Sequence, residues 1–220
     1  MSVQLVAHMG DDAMVARAAW VSTGRDAREA TPEAVERLIR TLLGSEPAHA
    51  GPFGHPHLTV CVETPIFVAR EGFRHRTWSY SEISSRYVEM AGETYLPPVE
   101  DIRAQAGKAI SYAFEPMATP DADVARDVMA AAYRDAGSAY KALRTWGVAR
   151  EVARNVLPLG TMTRFYGTVS LRNALAFCRL RNHPAALLEI RREAEAVEAI
   201  LADLFPVTLA VWRERGRPSL

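Results

Sequence analysis

The densest run of functional groups in the chain is Arg74-His75-Arg76-Thr77-Trp78-Ser79-Tyr80-Ser81-Glu82-Ile83-Ser84-Ser85-Arg86-Tyr87. It holds three arginines, a histidine, four serines and one carboxylate within fourteen residues. A guanidinium donates in a planar fork that matches phosphate oxygens, and serine hydroxyls add neutral donors at short reach. The run therefore reads either as an anion site or as a solvated loop with local ion pairs. Apolar strand-like segments flank it on both sides, which favours the anion site. Neither a Walker A pattern nor G-x-G-x-x-G occurs in the chain, so a nucleotide would not be held by those loops. Further arginines at 154, 172 and 181 would have no occupant in a purely structural protein.

Other chemistries fit less well. Cys61 and Cys178 are the only cysteines, too few for a disulfide framework or a structural zinc site. His49, His55 and His57 lie in or beside a Gly/Pro-rich loop and read as solvated or hydrogen-bonded, so no metal is expected. The arginine and aromatic mixture of residues 74–87 also suggests a nucleic-acid module. Against that, 26 Lys+Arg balance 26 Asp+Glu and no basic stripe is present. The opening MSVQLVAHMGDD breaks its apolar run with acids, unlike a secretory signal, and no stretch approaches the roughly 20 apolar residues of a membrane span. A cytoplasmic protein is expected. At 220 residues with 49% hydrophobic and 24% charged residues, the composition is that of a globular protein.

The elements that must position these groups are legible in part. Val3–His8 predicts a strand, and Gly10-Asp11-Asp12 punctuates it before a helical pattern through Met14, Val15 and Ala18. Thr31 as N-cap, Pro32 at the first helical position and Gly44 as a stop bracket a second helix. Its buried face is Val35, Leu38, Ile39, Leu42 and Leu43. Glu46–Pro56 reads as loop, and His57–Glu63 alternates as a half-buried strand, with Leu58, Val60 and Val62 inward. A short helix over Ile66–Phe73 then opens at Pro65, and Arg86–Met90 (RYVEM) reads as strand-like. The second half predicts helices over Val124–Trp146, Ala149–Val156, Ser170–Arg181 and Ala185–Leu204, with a strand over Thr161–Thr168 and Pro206 as a break. Strands early and helices late imply a single α+β domain.

Arg74-His75-Arg76, seven residues and then Ser84 resembles the signature of the flavin-dependent thymidylate synthases, and Glu82, Arg86 and Tyr87 extend the match. MGDDAMVARAAWVSTG, PFGH, TPIFVAREGFRHR, ARNVLPLGTMTRFYGTV and SLRNALAFCRLRN are similar to family segments in the family's order, spanning most of residues 9–192. The resemblance implies one domain over residues 1–220, a central, mostly antiparallel sheet with flanking helices, and a homotetramer with FAD between subunits. It implies that methylenetetrahydrofolate supplies one carbon to C5 of a uracil nucleotide, that NADPH reduces the flavin, and that the reduced flavin delivers hydride. Carried onto this sequence, His49, Gly51, Arg74, His75, Arg76, Glu82, Ser170 and Arg172 would contact FAD. Glu71, Arg74, Glu82, Ser84, Arg86, Arg154 and Arg181 would contact the nucleotide, and Arg181 would favour ionisation at N3 of the pyrimidine. Cysteine-dependent methylation of uracil needs a thiolate that attacks C6. Cys61 on a strand and Cys178 on an apolar helix read instead as structural cysteines, which leaves the hard step to the cofactor.

The sequence also departs from the family pattern. Glu71 stands where a glutamine beside the nucleotide is usual, and Ala50, Gly51 and Gly54 replace a Glu, a Thr and a Glu. Ser170 and Ala176 occupy positions that are normally asparagines, and Ala185 and Leu187 fall in the usual His-Ala-Gln segment. Each change alone fits drift; together they suggest altered flavin or folate contacts. A carboxylate accepts only, and a ribose 2′-hydroxyl is a donor for it, so Glu71 points to UMP as well as or instead of dUMP. The other reading is that Glu71 pairs with a neighbouring arginine. By that resemblance and its altered site, the chain looks most like a branch that methylates UMP or dUMP for a polyoxin-type nucleoside antibiotic. A housekeeping thymidylate synthase acting on dUMP alone is the alternative.

Overall fold

The computed structural model describes residues 1–25, 30–89, 92–108 and 111–220. Its elements in chain order are β1 (Ser2–Met9), α1 (Asp12–Val21), α2 (Pro32–Gly44), β2 (His57–Pro65), α3 (Ile66–Gly72), β3 (Ser79–Glu82), β4 (Arg103–Lys108), β5 (Ser111–Pro116), α4 (Thr119–Thr145), α5 (Arg150–Ala153), β6 (Met162–Ser170), α6 (Leu171–Arg181), α7 (Leu188–Leu204) and α8 (Pro206–Glu214). An antiparallel sheet of order β1-β2-β6-β3 is flanked by helices, the α+β class read from the sequence. The chain clusters into two compact units: Met1–Val62, Gly72–Ser81 and Phe165–Leu220 form one, and Glu63–Glu71 with Glu82–Arg164 form the other.

The first unit holds the larger core. Asp11 caps α1 by accepting from the Met14 amide at 2.8 Å, and Thr31 caps α2 by accepting from Ala34 at 3.3 Å. Each cap satisfies an amide that the first helical turn leaves without an intrahelical partner. The apolar face of α2 is buried at Val35, Ile39, Leu42 and Leu43, and the alternation in β2 buries Leu58, Val60 and Val62. Ile190, Leu201, Phe205, Leu209 and Trp212 close the core from α7, α8 and the residue between them. Asp12 serves a purpose its sequence position did not reveal. Its carboxylate accepts from the Val207 and Thr208 amides at 2.8 and 2.9 Å and from the Thr208 hydroxyl at 2.6 Å. A carboxylate there complements the positive N-terminal end of α8.

The second unit contains the long helix α4 and the β4–β5 hairpin, paired antiparallel from Arg103↔Pro116 to Lys108↔Ser111. Amides at the start of α3 are taken up by backbone carbonyls, Ile66 by Thr161 at 3.0 Å and Phe67 by Leu159 at 3.1 Å.

Several boundaries differ from the sequence reading. Residues 86–89 of the RYVEM segment are not a strand, because the Tyr87 and Val88 amides both donate back to the Ser84 carbonyl at 3.0 Å and form a turn; Met90 lies outside the described residues. The helix expected over Ala149–Val156 is α5 followed by a 3₁₀ turn, Arg154–Val156, in which the Leu157 amide donates to the Arg154 carbonyl. α4 begins at Thr119 rather than Val124, with Pro120 in its first turn, where a missing amide costs nothing. α7 begins at Leu188 rather than Ala185, since the Ala185 and Ala186 amides turn back onto His183. Pro206 does break α7, and it also opens α8, which the sequence reading lacked. The β4–β5 hairpin was likewise not anticipated.

Candidate functional site

After α3 the chain turns sharply. The His75 amide donates to the Gly72 carbonyl at 3.0 Å and the Trp78 amide to the His75 carbonyl at 3.2 Å. The Tyr80 hydroxyl bridges the same two carbonyls, at 2.9 and 3.2 Å, and so pins the turn that carries Arg74, His75 and Arg76. Beneath it the Trp78 and Tyr80 rings stack at 7°, and Phe73, Phe165 and Phe177 meet them edge-on or tilted. Gly167 makes room for that packing, since a Cβ there would sit 2.9 Å from Trp78 Cε3. Burial, with Glu193 nearby, raises the Tyr80 phenol above its ordinary value, so it stays a neutral donor.

Arg181 ends α6, and its Nε donates to His75 Nε2 at 2.9 Å. Arginine has no acceptor, so Nε2 carries the lone pair and the ring proton belongs on Nδ1. Burial first, then the Arg181 charge, lowers the imidazole from 6.5 to about 4. His75 is therefore neutral at pH 7, and the His75 ring rests edge-on against Phe177 at 4.9 Å.

The other flavin candidates of this unit divide by surroundings. Arg74, Arg76 and Arg172 are exposed, and no carboxylate among the described residues pairs with them. Gly51 opens a 3₁₀ turn, Gly51–Gly54, anchored by the fully buried Phe53, and the space around Gly51 is open. His49 is exposed on the preceding loop, its amide held by the Leu42 carbonyl at 2.9 Å. Ser170 is buried and caps α6 by accepting from Asn173 at 3.4 Å. A dinucleotide cofactor needs cationic and neutral donors for its diphosphate. Three exposed guanidiniums and the open glycine turn meet that requirement, and beneath the turn that carries Arg74 the buried Trp78 indole N–H is left without a partner. The residues fit FAD.

In the second unit, Glu82 ends β3 and accepts from the buried Thr163 hydroxyl at 2.6 Å. The Ser84 hydroxyl accepts from the Arg86 amide at 3.3 Å. Arg86 Nε donates to Glu151 Oε2 at 3.1 Å, Arg154 Nη1 donates to the Ser85 hydroxyl at 3.0 Å, and Arg154 Nε donates to the Glu151 carbonyl at 3.3 Å. The structure thus brings Ser84, Arg86 and Arg154 together around Ser85 and Glu151. Neither was assigned a role from the sequence, although Glu151 lies three residues before Arg154 on the same helical turn, a spacing that places two side chains on one face. A cleft lined by Ile83, Val88, Thr161, Thr163 and Arg164 adjoins the Glu82–Thr163 pair. Glu71 lies half-buried near the end of α3.

Cys178 is placed as a structural residue. Cys178 is fully buried, its thiol donates to the Ala194 carbonyl at 3.7 Å, and burial with Glu198 nearby pushes it well above the ordinary thiol range. A thiol so held is not a nucleophile at neutral pH. Cys61 is half-buried on β2. Of the three histidines weighed as metal ligands, His57 points Nδ1 at the His55 carbonyl at 2.8 Å. Among the described residues no cluster of His, Cys, Asp or Glu could hold a metal ion, and no helix is long and apolar enough to cross a membrane.

The family model for thymidylate synthase complementing protein matches residues 4–207. The chain belongs to the flavin-dependent thymidylate synthase family. A relative so named from Streptomyces avermitilis is 37% identical over 229 residues, covering 99% of this chain and 92% of its own length. Another, from Thermus thermophilus, is 39% identical over 212 residues, 96% of this chain and 75% of its own. Membership makes the protein a flavin-dependent methyltransferase, as the sequence resemblance implied. Among solved structures, the UMP/dUMP methylase PolB from Streptomyces cacaoi bound with 5-Br dUMP superposes with a TM-score of 0.91 at 36% identity, covering 100% of this chain and 97% of the other. The same enzyme bound with 5-Br UMP gives 0.91 at 34% identity.

Proposed function

We propose that residues 1–220 act as one methylase domain that converts UMP, dUMP or both to the 5-methyl nucleotide, with methylenetetrahydrofolate as carbon donor. When bound, reduced FAD supplies the hydride that completes the methyl group, and NADPH supplies the electrons. The observation that carries this reading is the arrangement of its cations: Arg181 fixed on neutral His75 in one unit, and Arg86 and Arg154 gathered with Ser84 and Ser85 in the other. The full-length likeness to a UMP/dUMP methylase supports it.

In this reading Arg86, Arg154 and Ser84 bind the nucleotide phosphate, with Glu82 and Arg74 beside the nucleoside. Arg181 faces the pyrimidine, where a permanent cation lowers the cost of negative charge at N3 and so raises electron density at C5. His49, Gly51, Arg74, His75, Arg76, Glu82, Ser170 and Arg172 hold the flavin. Glu71 accepts from a ribose 2′-hydroxyl, which makes the ribonucleotide a substrate. The working enzyme is a cytoplasmic homotetramer with flavin at subunit interfaces, serving a nucleoside antibiotic pathway, and it binds neither nucleic acid nor membrane.

Methylation replaces the hydrogen at C5, so tritium at that position must pass to water. The FAD-loaded protein should release tritium from C5-labelled UMP or dUMP and form the 5-methyl nucleotide only when methylenetetrahydrofolate and NADPH are both present. Release without methyl product, or no turnover of either nucleotide, would overturn the reading.

A further inference from the structure

Glu198 on α7 is almost wholly buried, yet it gathers three donors from two other parts of the chain. Arg213 Nε reaches Oε1 at 2.7 Å, Arg217 Nη2 reaches Oε1 at 2.9 Å, and Asn182 Nδ2 reaches Oε2 at 2.9 Å. A buried carboxylate is tolerated when it is paired and its lone pairs are used, and here both oxygens are. Arg217 has a second hold: its Nη1 donates to the Asn182 carbonyl at 3.3 Å. Asn182 is thus fastened by its side chain to Glu198 and by its backbone to Arg217. It is the residue that follows Arg181.

The segment that supplies Arg217 is itself fixed in an uncommon shape. Gly216 and Arg217 both have positive φ, 73° and 60°. For Arg217 that conformation is disfavoured by its own Cβ, so surrounding contacts must impose it. They do so through Trp212, a fully buried residue whose carbonyl accepts from the Arg217 amide at 2.8 Å and whose indole donates to the Pro218 carbonyl at 3.0 Å. The Arg217 guanidinium also lies 5.5 Å from the Trp212 ring centroid. The Arg217 conformation is thus imposed by contacts with the core residue Trp212.

We propose that the C-terminal segment Arg213–Pro218, acting through Glu198 and Asn182, is a strap that positions Arg181 against His75. The last carbonyls of a helix have no intrahelical partner, and the strap takes up the one at the α6 C-cap, Asn182. The strap holds the residue after Arg181 in two directions and so fixes where the guanidinium emerges. Arg217, Glu198 and Asn182 are positioning residues; none touches substrate. The inference rests on the proposed role of Arg181, but the contact it predicts is measurable without turnover.

The test is ¹⁵N NMR of the imidazoles in the full-length protein. Wild type should show His75 as the Nδ1–H tautomer, neutral down to about pH 4. In Arg217→Ala the end of α6 loses one of its two holds and the Arg181 cation is held less firmly on the ring, so the His75 midpoint should rise by about one pH unit and the tautomer preference should weaken. The kcat for methylation should fall by about tenfold while the nucleotide KM changes less than about threefold. Asn182→Ala, which leaves Arg213 and Arg217 on Glu198, should move His75 in the same direction and serves if the first variant folds poorly. An unchanged His75 tautomer and midpoint in these variants overturns the strap, whatever activity does. A His75 response in a protein that methylates neither nucleotide upholds the strap and contradicts the proposed reaction instead.

Discussion

Arg181 Nε donates to His75 Nε2 at 2.9 Å, and that bond settles the state of both side chains. The arginine is always charged, so the imidazole opposite must be neutral and must present its lone pair. A neutral histidine with a fixed tautomer is a hydrogen-bond donor through Nδ1 rather than a second cation. The arginines of the 74–76 turn can then lie beside it without a further charge to oppose them.

This pairing carries a pH dependence. The folded His75 binds its proton only near pH 4, whereas an unfolded chain binds it near 6.5. Its contribution to stability is present above pH 6.5 and is lost as pH falls from there towards 4. The half-exposed ring is screened by solvent, so the expected loss is about 1–2 kcal/mol rather than the full linkage value. Urea unfolding at pH 7 and pH 5 should show it in wild type, and His75→Gln, which retains an acceptor for Arg181, should show less of it. Identical pH slopes in the two proteins would contradict the assignment.

If Arg86 binds the nucleotide phosphate as proposed, Glu151 competes for it. Its carboxylate occupies the Arg86 Nε at 3.1 Å, in a pair more than half exposed on each side. Glu151→Gln should therefore lower the nucleotide KM by about two- to fivefold and leave the unphosphorylated nucleoside unaffected. Steady-state kinetics with both compounds decides it. A raised KM for the nucleotide would show that the carboxylate instead orients the arginines.

Asp12 should matter to stability and little to chemistry. Replacing it with alanine removes three acceptor bonds at the start of α8, two of them from the buried Thr208. We expect Asp12→Ala to cost about 2–4 kcal/mol in urea unfolding, and Asp12→Asn, which keeps one oxygen, to cost less. A loss under about 0.5 kcal/mol, the range of ordinary surface changes, would contradict the capping role.

Glu71 should set the choice of sugar. Glu71→Gln keeps an acceptor but removes the charge and adds donors, so the UMP to dUMP ratio of kcat/KM should fall by about tenfold. An unchanged ratio would leave Glu71 with no part in reading the 2′-hydroxyl.

Where a residue's job is local, the sequence shows it. Thr31, Pro32 and the α2 stripe, the alternation of Leu58, Val60 and Val62, and Ser170 at the start of α6 all act within a few residues of themselves. Periodicity and capping rules therefore reach them. The Arg74–Arg86 run was visible for the same reason, because its density is itself the signal. Asp12 and Glu198 were not legible. Their partners lie 195 and 196 residues away for Asp12, and 15 to 19 for Glu198, and nothing in the intervening sequence says which carboxylate meets which donor. The β4–β5 hairpin was missed because Arg103–Lys108 (RAQAGK) lacks the β-branched and aromatic residues that mark a strand. Glu151 was missed because a lone acid on a short helix looks like any solvated face until Arg86 arrives from elsewhere.

The central claim is tested most directly by competition. Equal UMP and dUMP would be offered to the FAD-loaded protein with methylenetetrahydrofolate and NADPH, and the 5-methyl products read by mass spectrometry. 5-Methyl-UMP should be a major product. Methylated dUMP alone would contradict the ribonucleotide reading and make Glu71 a bystander, and no methylated product would contradict the proposed reaction itself.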